Sequence, residues 1–205
     1  MYLLSIECTT RQTGIAILKD KQILGKKIWM SKDAGREILP AIDKLIKKVH
    51  VLPEDFDYFI ISSGPGSWTG IRLGLALAYG LATANERKVF GISSIDAIAY
   101  SIAGKGPVGV FLPSVGKSVH YGFFEEPEKL SKQHGFFSTC CVDNITLMLK
   151  NAKIVAGPDE KILSLFKGSG KILVNIFPNP VLNAILALER IKNSVSPLNQ
   201  PYYEK

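Results

Sequence analysis

Charge is missing where an outer helix would normally carry it: from Leu73 to Ala84 no side chain is ionised. Cysteine is scarce too, with only Cys8, Cys140 and Cys141. These do not make an even disulfide framework, none has zinc-ligand spacing, and the usage fits a reducing cytoplasm. Cys140-Cys141 reads as an incidental buried or half-buried pair and not as a redox centre. His50, His120 and His134 fall in different elements and never at i, i+4 spacing, so no helical metal-binding pair is offered. No GxSxG elbow surrounds Ser62, Ser63 or Ser67, which removes a familiar setting for a serine nucleophile. The N-terminal apolar run has strand length and no basic flank, and the uncharged segment falls short of the roughly twenty apolar residues a membrane span requires. Neither a signal peptide nor a membrane anchor is expected.

What is present is a well-cored composition. The 205 residues are 46% hydrophobic, enough for one large domain or two small ones. The net charge of +7 suits contact with a polyanion, yet Lys26-Lys27, Lys47-Lys48, Lys105, Lys117, Lys167 and Lys171 form no single run. An ordinary solvated surface explains such a spread equally well.

The densest information lies in residues 62–84, SSGPGSWTGIRLGLALAYGLATA. An apolar strand, Tyr58 to Ile61, enters a loop holding Gly64, Gly66 and Gly70, with Pro65 fixing its own φ. Ser67 or Thr69 can cap the helix that follows, and free N–H groups at a capped terminus attract anions. No lysine follows Gly70, so this is not a Walker A loop. Structural turns of this kind are common, and both readings stay open. In the helix, Gly70, Gly74, Ala78 and Leu81 fall on one line, and Ala76, Gly80 and Ala84 on another beside Leu73 and Leu77. A helix apolar nearly all round is covered on both sides. One side suits its own sheet; the other suits a subunit interface, with a wholly internal core as the alternative.

Strands are expected at 2–8, 13–19, 22–29, 57–63 and 88–92. Helices are expected at 34–49, 70–84 and 94–103, with Pro40 kinking the first or delaying its start. Ala103 to Pro107 reads as the boundary. Beyond it come strands at 107–112, 117–125, 135–139, 152–156 and 171–175, and helices near 143–150, 159–167 and 181–192. The second half echoes the first loosely, with shorter helices.

These residues resemble the TsaB family, also called YeaZ. SIECTT (5–10) and GPGSWTGIR (64–72) carry the resemblance, with ILPAID (38–43), FGISSIDAIA (90–99) and the closing Pro201-Tyr202-Tyr203-Glu204-Lys205 in support. It is strong over the first hundred residues and weak beyond them, apart from the tail. The resemblance implies an α/β fold of two ribonuclease-H-like lobes, of the actin, Hsp70 and sugar-kinase superfamily. Each lobe is of β-β-β-α-β-α type: 1–104, and a reduced 105–205 whose last helix packs back on the first lobe. It further implies a cytoplasmic, non-catalytic partner of TsaD, the paralogue that transfers threonylcarbamoyl to adenosine 37 of tRNAs reading codons that begin with A. TsaC makes the adenylate donor, TsaE completes the complex, and tRNA is met through that complex. ATP and metal belong to those partners, and no cofactor is expected here.

The same resemblance maps an interface, with TsaD or with a second copy of the chain, onto Ile42, Leu45, Ile46, Arg72, Leu75, Ala76, Tyr79, Gly80 and Thr83. A vestigial nucleotide or phosphate loop would comprise Glu7, Thr9, Thr10, Gly64, Gly66, Ser67 and Thr69. Three departures stand out: Glu7 replaces the family's aspartate, Ala34 replaces a frequent histidine, and the run from Leu112 to Tyr121 loses an arginine and two acids. Two readings of other classes compete. A small phosphotransferase would need Glu7 in its cleft, and a stand-alone tRNA-binding module would bind RNA with steep salt dependence.

Overall fold

The structure, a computed structural model, describes residues 1–200; the 201–205 tail named above lies outside the described residues. In chain order the elements are β1 (Tyr2–Glu7), β2 (Gln12–Lys19), β3 (Gln22–Met30), α1 (Ala34–Val49), β4 (Tyr58–Gly64), α2 (Trp68–Ala84), β5 (Lys88–Ser93) and α3 (Ser94–Ser101). There follow β6 (Val108–Pro113), β7 (Ser118–Phe124), β8 (Ser138–Cys141), α4 (Ile145–Met148), β9 (Ile154–Gly157), α5 (Glu160–Ser164), β10 (Ile172–Asn175) and α6 (Pro180–Lys192). The chain forms two compact units, Met1–Ser94 with the segment from Pro178 onward, and Ile95–Phe177.

In the first unit a meander of β1, β2 and β3 is extended by parallel β4 and β5, giving the order β3-β2-β1-β4-β5. The pleat sorts β1 cleanly. Leu4, Ile6 and Cys8 join the core beneath α1 and α2, so Ser5 and Glu7 point to the opposite face, which α6 covers. Each covering helix has its own start signal: Asp33 accepts from Arg36 N, Ser67 from Gly70 N, and Asn179 from Val181 and Leu182 N ahead of Pro180. Pro40 neither delays nor ends α1, which begins at Ala34. Its missing N–H would have served Arg36, on an exposed turn where water can take the carbonyl.

The second unit repeats the strand order as β8-β7-β6-β9-β10, again with a three-strand meander and two parallel strands. Its helices are shorter than the sequence led one to expect, with five residues in α5 and four in α4. Phe111, Val119, Ile145, Leu149, Val155 and Phe166 are among the buried residues of its core. The expected boundary at Ala103–Pro107 falls inside this unit. Ile95 packs on the backbone of Gly122, and the Asp96 carboxylate accepts from Gly135 N, so α3 travels with the second sheet. Helix α6 belongs to the first unit, lying across β1, β2, β4 and β5. Among the described residues no helix is long and apolar enough to cross a membrane.

Candidate functional site

Two loops of the first unit meet because glycine lets them. A Cβ on Gly66 would lie 2.4 Å from Thr9 O, and one on Gly70 1.8 Å from Cys8 O. Ser67 N donates to Thr9 O at 2.6 Å across the same seam. The glycine loop is thus clamped on the β1–β2 turn, and α2 starts hard against the sheet. The predicted phosphate-loop residues nonetheless divide between two faces.

Thr10, Ser67 and Thr69 lie on the α1/α2 side, around a cavity of about 360 Å3 that Cys8, Thr13 and Lys32 also line. Glu7 and Thr9 lie on the α6 side and are buried. Glu7 Oε1 accepts from Thr9 N at 2.7 Å and Thr9 Oγ1 at 2.6 Å, while Oε2 accepts from Asn183 Nδ2 at 2.8 Å. Ser94 Oγ stands 3.3 Å from Thr9 Oγ1 and 2.5 Å from Ser62 Oγ, extending a buried hydrogen-bonded chain. Burial pushes the Glu7 carboxyl above its ordinary value; hydrogen bonds from Thr9, Asn183 and Ser62 pull only partly the other way. Burial likewise raises the Cys8 thiol, with the neighbouring Glu7 adding to it, so Cys8 is not an activated nucleophile. Asn183 and Ser94 had no local signal in the sequence. Only the alternation of β1, which sets Glu7 opposite Cys8, could have separated the two groups beforehand.

The expected interface residues also divide. Ile42, Leu45 and Leu75 are only 2%, 7% and 8% exposed and fill the unit's own core, a correction to their assignment as outward-facing residues. The helical pattern that makes them apolar is the pattern of packing on the sheet. Ile46 is half-buried, whereas Arg72, Ala76, Tyr79, Gly80 and Thr83 are exposed. Alongside them Leu73, Leu77 and Leu81 are half-buried, and Arg72 stacks over Trp68 with its guanidinium 4.5 Å from the ring centre. A Cβ on Gly80 would meet nothing within 4 Å. The outward side of α2 is therefore smooth, small and apolar, with one cation held against an aromatic ring.

Comparison with known proteins bears on this helix pair and glycine loop. Residues 29–154 match the family model described as TsaD: tRNA N6-adenosine threonylcarbamoyltransferase. This chain belongs to the TsaD family, in its TsaB (YeaZ) branch. The Bacillus subtilis tRNA threonylcarbamoyladenosine biosynthesis protein TsaB is 29% identical over 100 residues, 48% of this chain and 44% of that protein. The Haemophilus influenzae TsaB is 32% identical over 101 residues, 47% of this chain and 41% of that one. The matched stretch thus spans less than half the length of these TsaB relatives. A Pseudomonas aeruginosa crystal structure, described as an uncharacterized protein with similarity to peptidase YeaZ, superposes with a TM-score of 0.81 at 18% identity. It covers 100% of this chain and 99% of that one, and the two share the fold of paired ribonuclease-H-like lobes.

Proposed function

We propose that this TsaB-family chain is the non-catalytic partner of a TsaD-type transferase in forming N6-threonylcarbamoyladenosine at position 37 of tRNAs that read codons beginning with A. The observation that carries the reading is the outward face of α2. Ala76, Tyr79, Gly80 and Thr83 are exposed on a helix with no charge after Arg72, flanked by half-buried leucines. Small residues on such a face let a second helix backbone approach closely, and uncovered apolar surface favours association. The names of the relatives, TsaB and TsaD, supply the pathway. Docking places this face against the transferase, or against a second copy when the chain is alone. TsaE joins the assembled pair, TsaC supplies the adenylate, and the work is cytoplasmic.

A phosphotransferase reading is disfavoured by Glu7, whose two oxygens are taken up by internal donors. The test is threonylcarbamoyl incorporation into such a tRNA by TsaC, TsaD and TsaE, with and without this chain. Modification is expected to require it, and Ala76→Arg or Tyr79→Glu to abolish the requirement's rescue. Undiminished modification without the chain would overturn the proposal.

A further inference from the structure

The lysines that look scattered in sequence are not scattered in the second unit. Parallel strands β6, β9 and β10 lie side by side and begin at the same end of their sheet. The segments leading into them are 103–107 (AGKGP), 149–153 (LKNAK) and 165–171 (LFKGSGK), which hold Lys105, Lys150, Lys153, Lys167 and Lys171 and no acid. Direct contacts tie these segments into one rim. Lys153 N donates to Pro107 O at 2.9 Å, Ile172 N to Lys153 O at 3.0 Å, and the Lys153 stem passes 3.0 Å from where a Gly106 Cβ would lie. Lys171 Nζ donates to Lys150 O at 2.6 Å, so its ammonium closes the loop from within. Lys105, Lys150, Lys153 and Lys167 are exposed and enter no ion pair among the described residues.

Two further features shape the rim. Gly104, Gly168 and Gly170 all have positive φ, and a Cβ on any of them would meet nothing within 4 Å, so the backbone between the lysines stands open. The acids of this end keep to the other flank. Glu125 and Glu126 follow β7, whose Phe124 pairs with Val108 of β6, and Glu126 is paired with Lys129. Neighbouring strands are about 4.8 Å apart, so the ammonium groups of three adjacent strand entries can serve successive charges on one extended polyanion.

We infer that this lysine rim of the second unit is a docking surface for the phosphate backbone of RNA. Protein partners are less well matched, because protein interfaces are depleted in lysine and centre on aromatic and apolar anchors, whereas the rim exposes four lysines, no aromatic ring and a single large apolar side chain, Leu165. Phosphate contact, by contrast, needs flexible ammonium groups and open backbone, and carries no sequence requirement. The inference rests on the tRNA-modification reading only for the choice of RNA as the polyanion. It also gives the shortened unit a role separate from the α2 face.

The test uses the full chain and a fluorescently labelled, unmodified tRNA that reads a codon beginning with A, titrated at two salt concentrations a factor of four apart. Four phosphate contacts correspond to a log–log salt slope of about −3, or about 60-fold weaker binding across that interval. The variant Lys105→Glu, Lys150→Glu, Lys153→Glu, Lys167→Glu is expected to lose that slope and to bind at least about tenfold more weakly at the lower salt. A reversal matched in charge, Lys19→Glu, Lys26→Glu, Lys27→Glu, Lys88→Glu, is expected to keep most of the slope; the corresponding Lys→Gln rim variant guards against a folding defect. Equal losses from the two reversals would reduce the effect to net charge and overturn the inference, as would absence of salt-dependent binding by the parent chain. Tyr79→Glu is expected to leave this binding intact while stopping modification, so failure of the α2 reading and failure of the rim are separable.

Discussion

One strand order is built twice in this molecule, over helices of 16, 17 and 13 residues in the first unit and, for α4 and α5, of 4 and 5 residues in the second. The central strands are buried in both: Leu3 to Glu7 of β1 and Val108 to Leu112 of β6 are closed to solvent. What differs is the covering. A helix of four or five residues cannot stand without its sheet, whereas α1 and α2 can present a whole outer face while packing with the inner one. A ribonuclease-H-like sheet therefore needs little helix to hold its core. Length beyond that minimum is free to form surface.

The comparison breaks most sharply at glycine. Gly70→Ala drives a methyl into Cys8 O at 1.8 Å, and a shift of the start of α2 is expected to cost about 3 kcal/mol or more, read as a lower urea midpoint. In the second unit Gly168→Ala meets no neighbour and carries only the left-handed φ of 79°, so about 1 kcal/mol is expected. Glu7→Ala, which strands the donors of Thr9 and Asn183 around a cavity, is expected to lose roughly 3 kcal/mol by the same measurement.

The pH dependence follows from the direction of the Glu7 shift. Because burial raises this carboxyl above its ordinary 4.5, its contribution is full below that value and is lost as pH rises through the folded value. Stability is thus expected to fall as pH rises above the ordinary carboxylate range, and Glu7→Gln to flatten that slope. The glutamine can be accommodated because Asn183 Oδ1 has no hydrogen bond among the described residues, and the amide can turn to accept. A steeper slope in the variant would show that Glu7 is held charged.

Hydrogen exchange sharpens the contrast between coverings: amides of α4 and α5 are expected to exchange well before those of α1, α2 and α6. The smallest effect is the most diagnostic. Gly80→Ala touches nothing and is expected to stabilise the free chain by about 0.5 to 1 kcal/mol, yet to weaken its association with the transferase. Stabilisation with unchanged association would remove Gly80 from the interface.

Element order was readable nearly to the end because alternation and helical spacing report burial directly. Facing was harder. For α2, apolar on almost every side, the sequence pattern could not separate Leu75, which packs inward, from Ala76 and Tyr79, which do not. In α1 the periodic Ile42 and Leu45 mark the core, and exposed Leu39 lies off that stripe. The glycine loop was found by composition, but its job of clamping Thr9 and Cys8 depends on a seam between segments some sixty residues apart. Asn183 lay further still, since nothing local marks an asparagine as the partner of a buried acid. The lysine rim has no signature in the sequence, because its members gather through parallel strand entries and not through a run.

Consider when Glu7 and Asn183 are made. They are 176 residues apart in sequence. At about 5 to 20 residues per second, roughly ten to thirty-five seconds of translation separate the carboxylate from the amide that seals it. Through that interval the first sheet has α1 and α2 on one face and nothing yet on the other, while the whole second unit emerges. The nascent chain thus carries an unfinished sheet face with an acid at its end until α6 arrives to cover it.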